Sequence, residues 1–247
     1  MPNIKLTIEY DGTQFKGWQI QPKDERTVQG LITETFYKIF KEKIKLIGSG
    51  RTDSGVHALG QVANFQTQCE KSPTEIRNAL NAYLPTDISI VNAVKVSDDF
   101  HAQYSVKSKT YRYTIFNRDV RSAVQQNHAL LFPYDLDLNL MKFEAQSLIG
   151  THDFTSFKGN NRSEKEENNV RTIYSIKITK KNNLILIDVT ANGFLYKMVR
   201  NIVGMLLEVG SGRVPKGRST NVLKKKDRTL SAYTAKAHGL TLLKVKY

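Results

Sequence analysis

The chain has 247 residues, of which 40% are hydrophobic and 24% charged, a balance that describes a soluble globular protein of one large domain or two compact ones. Its formal net charge of +14 is lopsided: residues 1–100 hold 12 Lys+Arg against 12 Asp+Glu, and residues 101–247 hold 25 against 11. No apolar run approaches transmembrane length, the first residues alternate instead of forming a signal peptide, and the single cysteine, Cys69, excludes an internal disulfide and a thiolate zinc site. The expected setting is therefore a reducing cytoplasm. A basic half joined to a neutral one suggests a face for a polyanion, most simply nucleic acid; the alternative is a solvated lysine-rich surface. A membrane partner is not expected, because no helical stretch combines a bulky apolar face with a basic one.

Ile4 to Tyr10 alternates as a half-buried strand and is closed by the turn signal Asp11-Gly12. Phe15 and Trp18 flank Gly17 and read as core packing. Val28, Leu31, Ile32, Thr35, Phe36, Ile39 and Phe40 share one helical face, with Thr27 as the N-cap. Ile44–Ile47 and Gln61–Thr67 are strand candidates on either side of a glycine-rich loop. Ser72-Pro73-Thr74-Glu75 combines a capping box with proline at the first helical position, and Pro85 stops the helix it begins. Ile88–Val96 is a further strand, so the first hundred residues read as an α+β unit with an antiparallel or mixed sheet.

Lys109–Phe116 is a strand with Tyr111, Tyr113 and Ile115 on one face and Thr110, Arg112 and Thr114 on the other. Asp137 caps a helix running to about Ile149, which Gly150 ends. Residues 157–169 are polar and aperiodic, the most loop-like piece of the chain. Arg171–Lys180 and Leu184–Ala191 form a hairpin. Asn192-Gly193 then starts an apolar helix through Leu207, Lys216–Arg228 is a basic loop or short helix, and Leu240–Tyr247 is a strand expected to close the second sheet. The chain is thus expected to be α+β, with domains at 1–105 and 106–247.

The stretch GSGRTDSGVHALG, Gly48 to Gly60, concentrates the chemistry. Its glycines set up a tightly bent loop that holds Arg51, Asp53 and His57. Asp53 has no second acid within several residues, a pattern for one carboxylate acting alone and not for a metal cage. An Asx-turn, in which Asp53 bonds its own backbone, is the plainer alternative.

GRTDSGVHALGQV resembles the signature of the bacterial tRNA pseudouridine synthase A family. IEYDGTQFKGWQ, DDFHA, KTYRYTIF, HDFTSF, YKMVRNIVG and AHGL are similar to that family in order and spacing, from Ile4 to Leu243. The resemblance implies a pseudouridine synthase fold: two similar α+β domains whose mainly antiparallel sheets join into one extended curved sheet, in a homodimer. It implies an isomerase that converts uridines at positions 38, 39 and 40 of the tRNA anticodon stem-loop by cleaving N1–C1′, turning the base and joining C5 to C1′. By the same resemblance Asp53 is the nucleophile, Arg200 the guanidinium that keeps it ionised, and Tyr111 the ring that stacks on the target base. Arg51 helps flip the nucleotide out, and His57 is either loop packing or an RNA contact. Tyr113 reads as a cross-strand packing partner. Without the resemblance, Arg200 reads first as a residue on the solvated side of an amphipathic helix.

Backbone grip is expected from Lys158, Arg162, Lys165, Arg171 and the run Lys224-Lys225-Lys226, since phosphate contacts position RNA without reading its sequence. Glu164, Glu166 and Glu167 dilute the loop, leaving Lys158 and Arg162 as its firmer candidates. No metal site, nucleotide cofactor or other cofactor is expected, in the absence of Walker A and Rossmann fingerprints. Gln103 stands where the family usually has Arg, and Lys236 where it usually has Pro. A noncatalytic tRNA-binding or folding protein on the same scaffold is the alternative function; a metal-assisted nuclease lacks a compact carboxylate cluster.

Overall fold

The computed structural model describes residues 1–22, 25–159 and 168–247. In chain order its elements are β1 (Asn3–Tyr10), α1 (Val28–Phe40), β2 (Ile47–Gly48), β3 (His57–Gln66), α2 (Pro73–Tyr83), β4 (Ile88–Val96), β5 (Ser108–Phe116), β6 (Leu130–Leu131) and α3 (Leu138–Gln146). There follow β7 (Gly150–Asp153), β8 (Val170–Lys181), β9 (Leu184–Ala191), α4 (Met198–Gly210), α5 (Arg218–Lys225) and β10 (Leu240–Lys246). The chain forms two compact units: Met1–Lys107 with Thr241–Tyr247, and Ser108–Leu240. Compared with the expected domains 1–105 and 106–247, the difference is the return of the last strand to the first unit.

In the first unit the strand order is β4-β1-β3-β10, with β2 on β3. β1 is antiparallel to both β3 and β4, whereas β10 runs parallel to β3, pairing Thr241 with His57 and Leu242 with Ala58. The sheet is therefore mixed. The alternation read in β1 holds: Ile4, Leu6, Ile8 and Tyr10 are buried while Lys5, Thr7 and Glu9 are more open. α1 starts at its Thr27 cap, whose hydroxyl accepts the Gly30 N–H, and sets Phe36 edge-on against Phe65 of β3 with ring centroids 5.0 Å apart. α2 opens with the full capping box between Ser72 and Glu75 and buries Ile76 and Leu80. Its Asn81 side chain satisfies both backbone groups of Ile90, accepting the N–H at 2.7 Å and donating to the carbonyl at 2.9 Å. Those bonds cover part of the edge that β4 would otherwise leave open.

The second unit is built on β5, β9, β8 and β7, paired antiparallel in that order, with β6 parallel to β5. The β8–β9 hairpin turns through Asn182 at φ +52°, a left-handed angle that asparagine tolerates. α4 is buried almost all round, as a helix apolar on every side must be. It begins at Met198 and not after Asn192-Gly193, because Lys197 takes a left-handed conformation (φ +58°) that interrupts any earlier turn. α5 is held by Glu144 of α3, a 1% exposed carboxylate that accepts the N–H groups of Gly217 and Ser219 and the Ser219 hydroxyl. Three donors around one carboxylate satisfy a charge that burial alone would not tolerate.

Candidate active site

The glycine-rich loop is seated by the segment that follows β1. The Trp18 backbone N–H donates to the Thr52 carbonyl at 3.1 Å, and the Tyr10 hydroxyl lies 2.8 Å from the Thr52 hydroxyl. On the far side of Asp53 the Phe15 carbonyl accepts the Gly55 N–H at 3.3 Å and the Ser54 hydroxyl at 3.1 Å. Gly17 sits at φ +99°, and a Cβ there would stand 2.6 Å from the Thr52 carbonyl oxygen, so only glycine allows the two backbones to approach this closely. Beneath the loop entrance, buried Gln61 accepts from the Ser49 hydroxyl at 2.6 Å and donates to the Gly50 carbonyl at 2.9 Å. Phe15 and Trp18 are each 2% exposed, which fits the packing role expected of them. They also fix the backbone on either side of Asp53.

Within this loop Asp53 is half-buried and Arg51 is exposed. The Asp53 carbonyl accepts the Val56 N–H at 3.2 Å, closing a turn through Gly55 at φ +78°. His57 is 4% exposed; its Nδ1 accepts the Gly12 N–H at 2.9 Å and lies 3.1 Å from the Asp11 carboxylate. Of the two roles expected for His57, packing the loop is the one its burial favours. Tyr10 is fully enclosed, and burial pushes its phenol well above the ordinary tyrosine value, so it stays a protonated donor. Tyr10, Gln61 and Gly17 are the parts of this loop that sequence reading did not connect to it, since their partners lie far along the chain.

The second unit presents the other named residues. Tyr111 and Tyr113 share a face of β5, as their spacing requires. Tyr111 is 8% exposed and stands edge-on to Phe194, centroids 5.2 Å apart at 88°. Tyr113 is fully buried and donates its hydroxyl to the Lys236 carbonyl at 2.7 Å; burial raises its pKa, with the Arg200 charge pulling the other way. Its ring lies against Gly239, where a Cβ would come within 2.7 Å of it. On the opposite face Thr110 bonds Thr190 at 2.9 Å and Arg112 grips Asp188 through two bonds of 2.7 and 2.8 Å. That pairing ties β5 to β9.

Arg200 lies in the first turn of α4, half-buried among apolar neighbours, and donates Nε–H to the Ala235 carbonyl at 2.7 Å while its own carbonyl accepts the Ala235 N–H at 3.2 Å. The segment before β10 is thereby clasped to α4. Lys236 holds φ −60°, the angle a proline ring would impose, so the lysine keeps the backbone that the family's proline would give. Arg171 donates to the carbonyls of Asn168 and Val170, both at 2.7 Å. Lys109, at the start of β5, is brought from the ordinary lysine value of 10.5 down to about 8, first by burial and then by the Arg171 charge. Lys158 is half-buried at the end of a single helical turn, Thr155–Phe157. Arg162, Lys165, Glu164, Glu166 and Glu167 lie outside the described residues. Among the described residues no helix is long and apolar enough to cross a membrane.

The sequence matches the family model described as tRNA pseudouridine synthase over residues 6–105 and 145–247. A tRNA pseudouridine synthase A of Caldicellulosiruptor saccharolyticus is 48% identical over 248 residues, and one of Thermoanaerobacter sp. (strain X514) is 44% identical over 247 residues; each alignment covers 100% of both chains. A tRNA pseudouridine synthase A of Limosilactobacillus reuteri is 46% identical over 252 residues, covering 100% of this chain and 97% of that one. With a family match that reaches into both units and relatives aligned along the whole sequence, the chain belongs to the bacterial tRNA pseudouridine synthase A family.

Proposed function

We propose that the protein isomerises uridine to pseudouridine in tRNA, at positions 38, 39 or 40 of the anticodon stem-loop, as a homodimer. The reaction breaks N1–C1′ and makes C5–C1′, and the proton originally on C5 is lost as N1 regains one, so atoms balance within the base and no redox partner is required. Asp53 acts as the carboxylate that attacks or stabilises the sugar carbon. Arg200 supplies positive charge that favours the ionised carboxylate, and Tyr111 offers the flat ring for the target base. Arg51, exposed beside Asp53, enters the RNA to displace the nucleotide. Lys158, Arg162 and Arg171 grip phosphates, and His57 holds the loop.

The observation that carries this reading is the loop itself. Its backbone is fixed on both sides of one half-buried acid by Trp18, Tyr10 and Phe15. A carboxylate held in place before substrate arrives costs no ordering at the moment of reaction, which is the arrangement covalent catalysis needs. The test is Asp53→Asn with unmodified tRNA transcripts: pseudouridine formation should vanish while tRNA binding stays within about threefold of wild type, since the change is isosteric. Pseudouridine formation at the wild-type rate in that variant would remove Asp53 from its role, and binding without conversion by the wild type would favour the noncatalytic alternative.

A further inference from the structure

The first unit carries a feature that the reaction does not use. After β4 the chain makes a tight turn, Phe100–Ser105, pinned from below by buried side chains. Asn3 of β1 donates to the carbonyls of Ser97 (3.0 Å) and Phe100 (2.9 Å). Asn64 of β3 accepts the Ala102 N–H at 2.9 Å, and the Tyr247 hydroxyl donates to the Ala102 carbonyl at 2.8 Å. Asn3, Asn64 and Ala102 are 1%, 4% and 0% exposed, so these bonds are shielded from water.

Inside the turn, Ser105 N–H donates to the His101 carbonyl at 2.9 Å and His101 N–H to the Ser105 hydroxyl at 3.2 Å. His101 Nδ1 accepts the N–H groups of Gln103 and Tyr104 at 3.2 and 3.3 Å. An Nδ1 that accepts places the ring proton of the neutral imidazole on Nε2. The fixed imidazole then stacks on Tyr104, with centroids 4.3 Å apart and planes 24° apart. Tyr104 is nevertheless 79% exposed, which leaves its second face open to solvent.

We propose that Tyr104, backed by His101, is a stacking platform for one unpaired nucleobase of the tRNA substrate. The inference rests on the tRNA-modifying function proposed above. A phenol already held against an imidazole loses little freedom when a base covers its other face, and every base offers a π-face, so contact here is tolerant of sequence. The surroundings suit a polyanion: Lys5 lies 5.6 Å from the Phe100 ring and 5.9 Å from the Tyr247 ring, and the Lys107 N–H bonds to the Lys246 carbonyl at 2.8 Å, setting two exposed lysines side by side. Exposed Asp98 and Asp99 precede the turn and partly offset that charge. Gln103, neutral where the family usually carries arginine, takes no part in Coulombic attraction. Stacking supplies at this turn a contact that salt does not screen.

Tyr104→Trp gives the direct readout, because Trp18 is the one tryptophan of the chain and is 2% exposed. Titration with unmodified tRNA transcript should quench the new indole emission. Tyr104→Ala should weaken tRNA binding by about 5- to 150-fold, with an unchanged slope of affinity against salt, and Tyr104→Phe should bind as wild type does. Unchanged indole emission at saturating tRNA, or an Ala variant within twofold of wild type, overturns the platform and leaves the proposed function standing. A Tyr104→Ala variant that changes sedimentation in the absence of tRNA, with no loss of affinity, makes the turn a contact between copies and also overturns it. Failure of the wild type to bind tRNA overturns both readings.

Discussion

Replacing Tyr10 with phenylalanine removes one oxygen from beneath the loop that presents Asp53. That oxygen is 2.8 Å from the Thr52 hydroxyl and also bonds Gln61, in a place where Tyr10 is 3% and Thr52 7% exposed. Leaving a buried partner unsatisfied costs about 1–3 kcal/mol, more than the net value of an average hydrogen bond. For a chain of this size that corresponds to a fall in Tm of about 2–12 °C. Thr52→Val should cost less on its own, because the phenol keeps its bond to Gln61. The double variant removes both ends of the Tyr10–Thr52 bond, so its loss should be smaller than the two single losses combined by about 0.5 kcal/mol or more. Thermal unfolding measures that coupling, and single-turnover conversion of tRNA measures its effect on the reaction. With the loop loosened and no substrate contact removed, the chemical step should slow while tRNA affinity holds. Additive losses in Tm together with an unchanged chemical step would refute the claim that this bond positions Asp53.

Three further perturbations follow from the packing. Lys109→Met should raise Tm at pH 7, because a buried ammonium facing Arg171 disfavours the folded state wherever both states are protonated; the gain should be full below about 8 and fade as pH rises toward 10.5, where lysine is neutral in both. Thermal melts across that range, with a constant gain at all pH values as the contrary result, decide it. Gly17→Ala should destabilise the protein by at least about 1–2 kcal/mol and slow conversion, since φ +99° is strained for any side chain and the new methyl meets the Thr52 carbonyl; chemical denaturation and single-turnover assays read the two effects. Glu144→Ala should cost about 2–4 kcal/mol by orphaning the donors of Gly217 and Ser219 and should open the α5 region to limited proteolysis, whereas an unchanged digestion pattern would show that α5 is held by other contacts.

Local signals in this chain were the readable ones. The Ser72–Glu75 capping box, the Thr27 cap, the alternation of β1 and the face shared by Tyr111 and Tyr113 each depend on residues a few positions apart, and each appears as its spacing implies. Partners far along the chain were not readable. Alternation marks Leu240–Tyr247 as a strand but says nothing of its neighbour, and its parallel pairing with His57 and Ala58 in the first unit joins residues far apart in the chain. Gly150 reads as a helix terminator, yet at φ +111° it also opens β7, a four-residue strand too short for periodicity to reveal. In the loop around Asp53 the glycine density was visible, whereas the need for Gly17 arises from a carbonyl thirty-five positions later.

The parallel seat of β10 on β3 has a consequence for how the protein comes into being. A chain emerging from the ribosome exposes the stretch with Asp53 early, but the strand that flanks His57 is translated only after the second unit, and until then Gly60 has no Leu243 carbonyl packed beside it. The first unit, interrupted in sequence, is completed only after the entire second unit has been made, so a nascent polypeptide stalled before Thr241 holds an unfinished sheet.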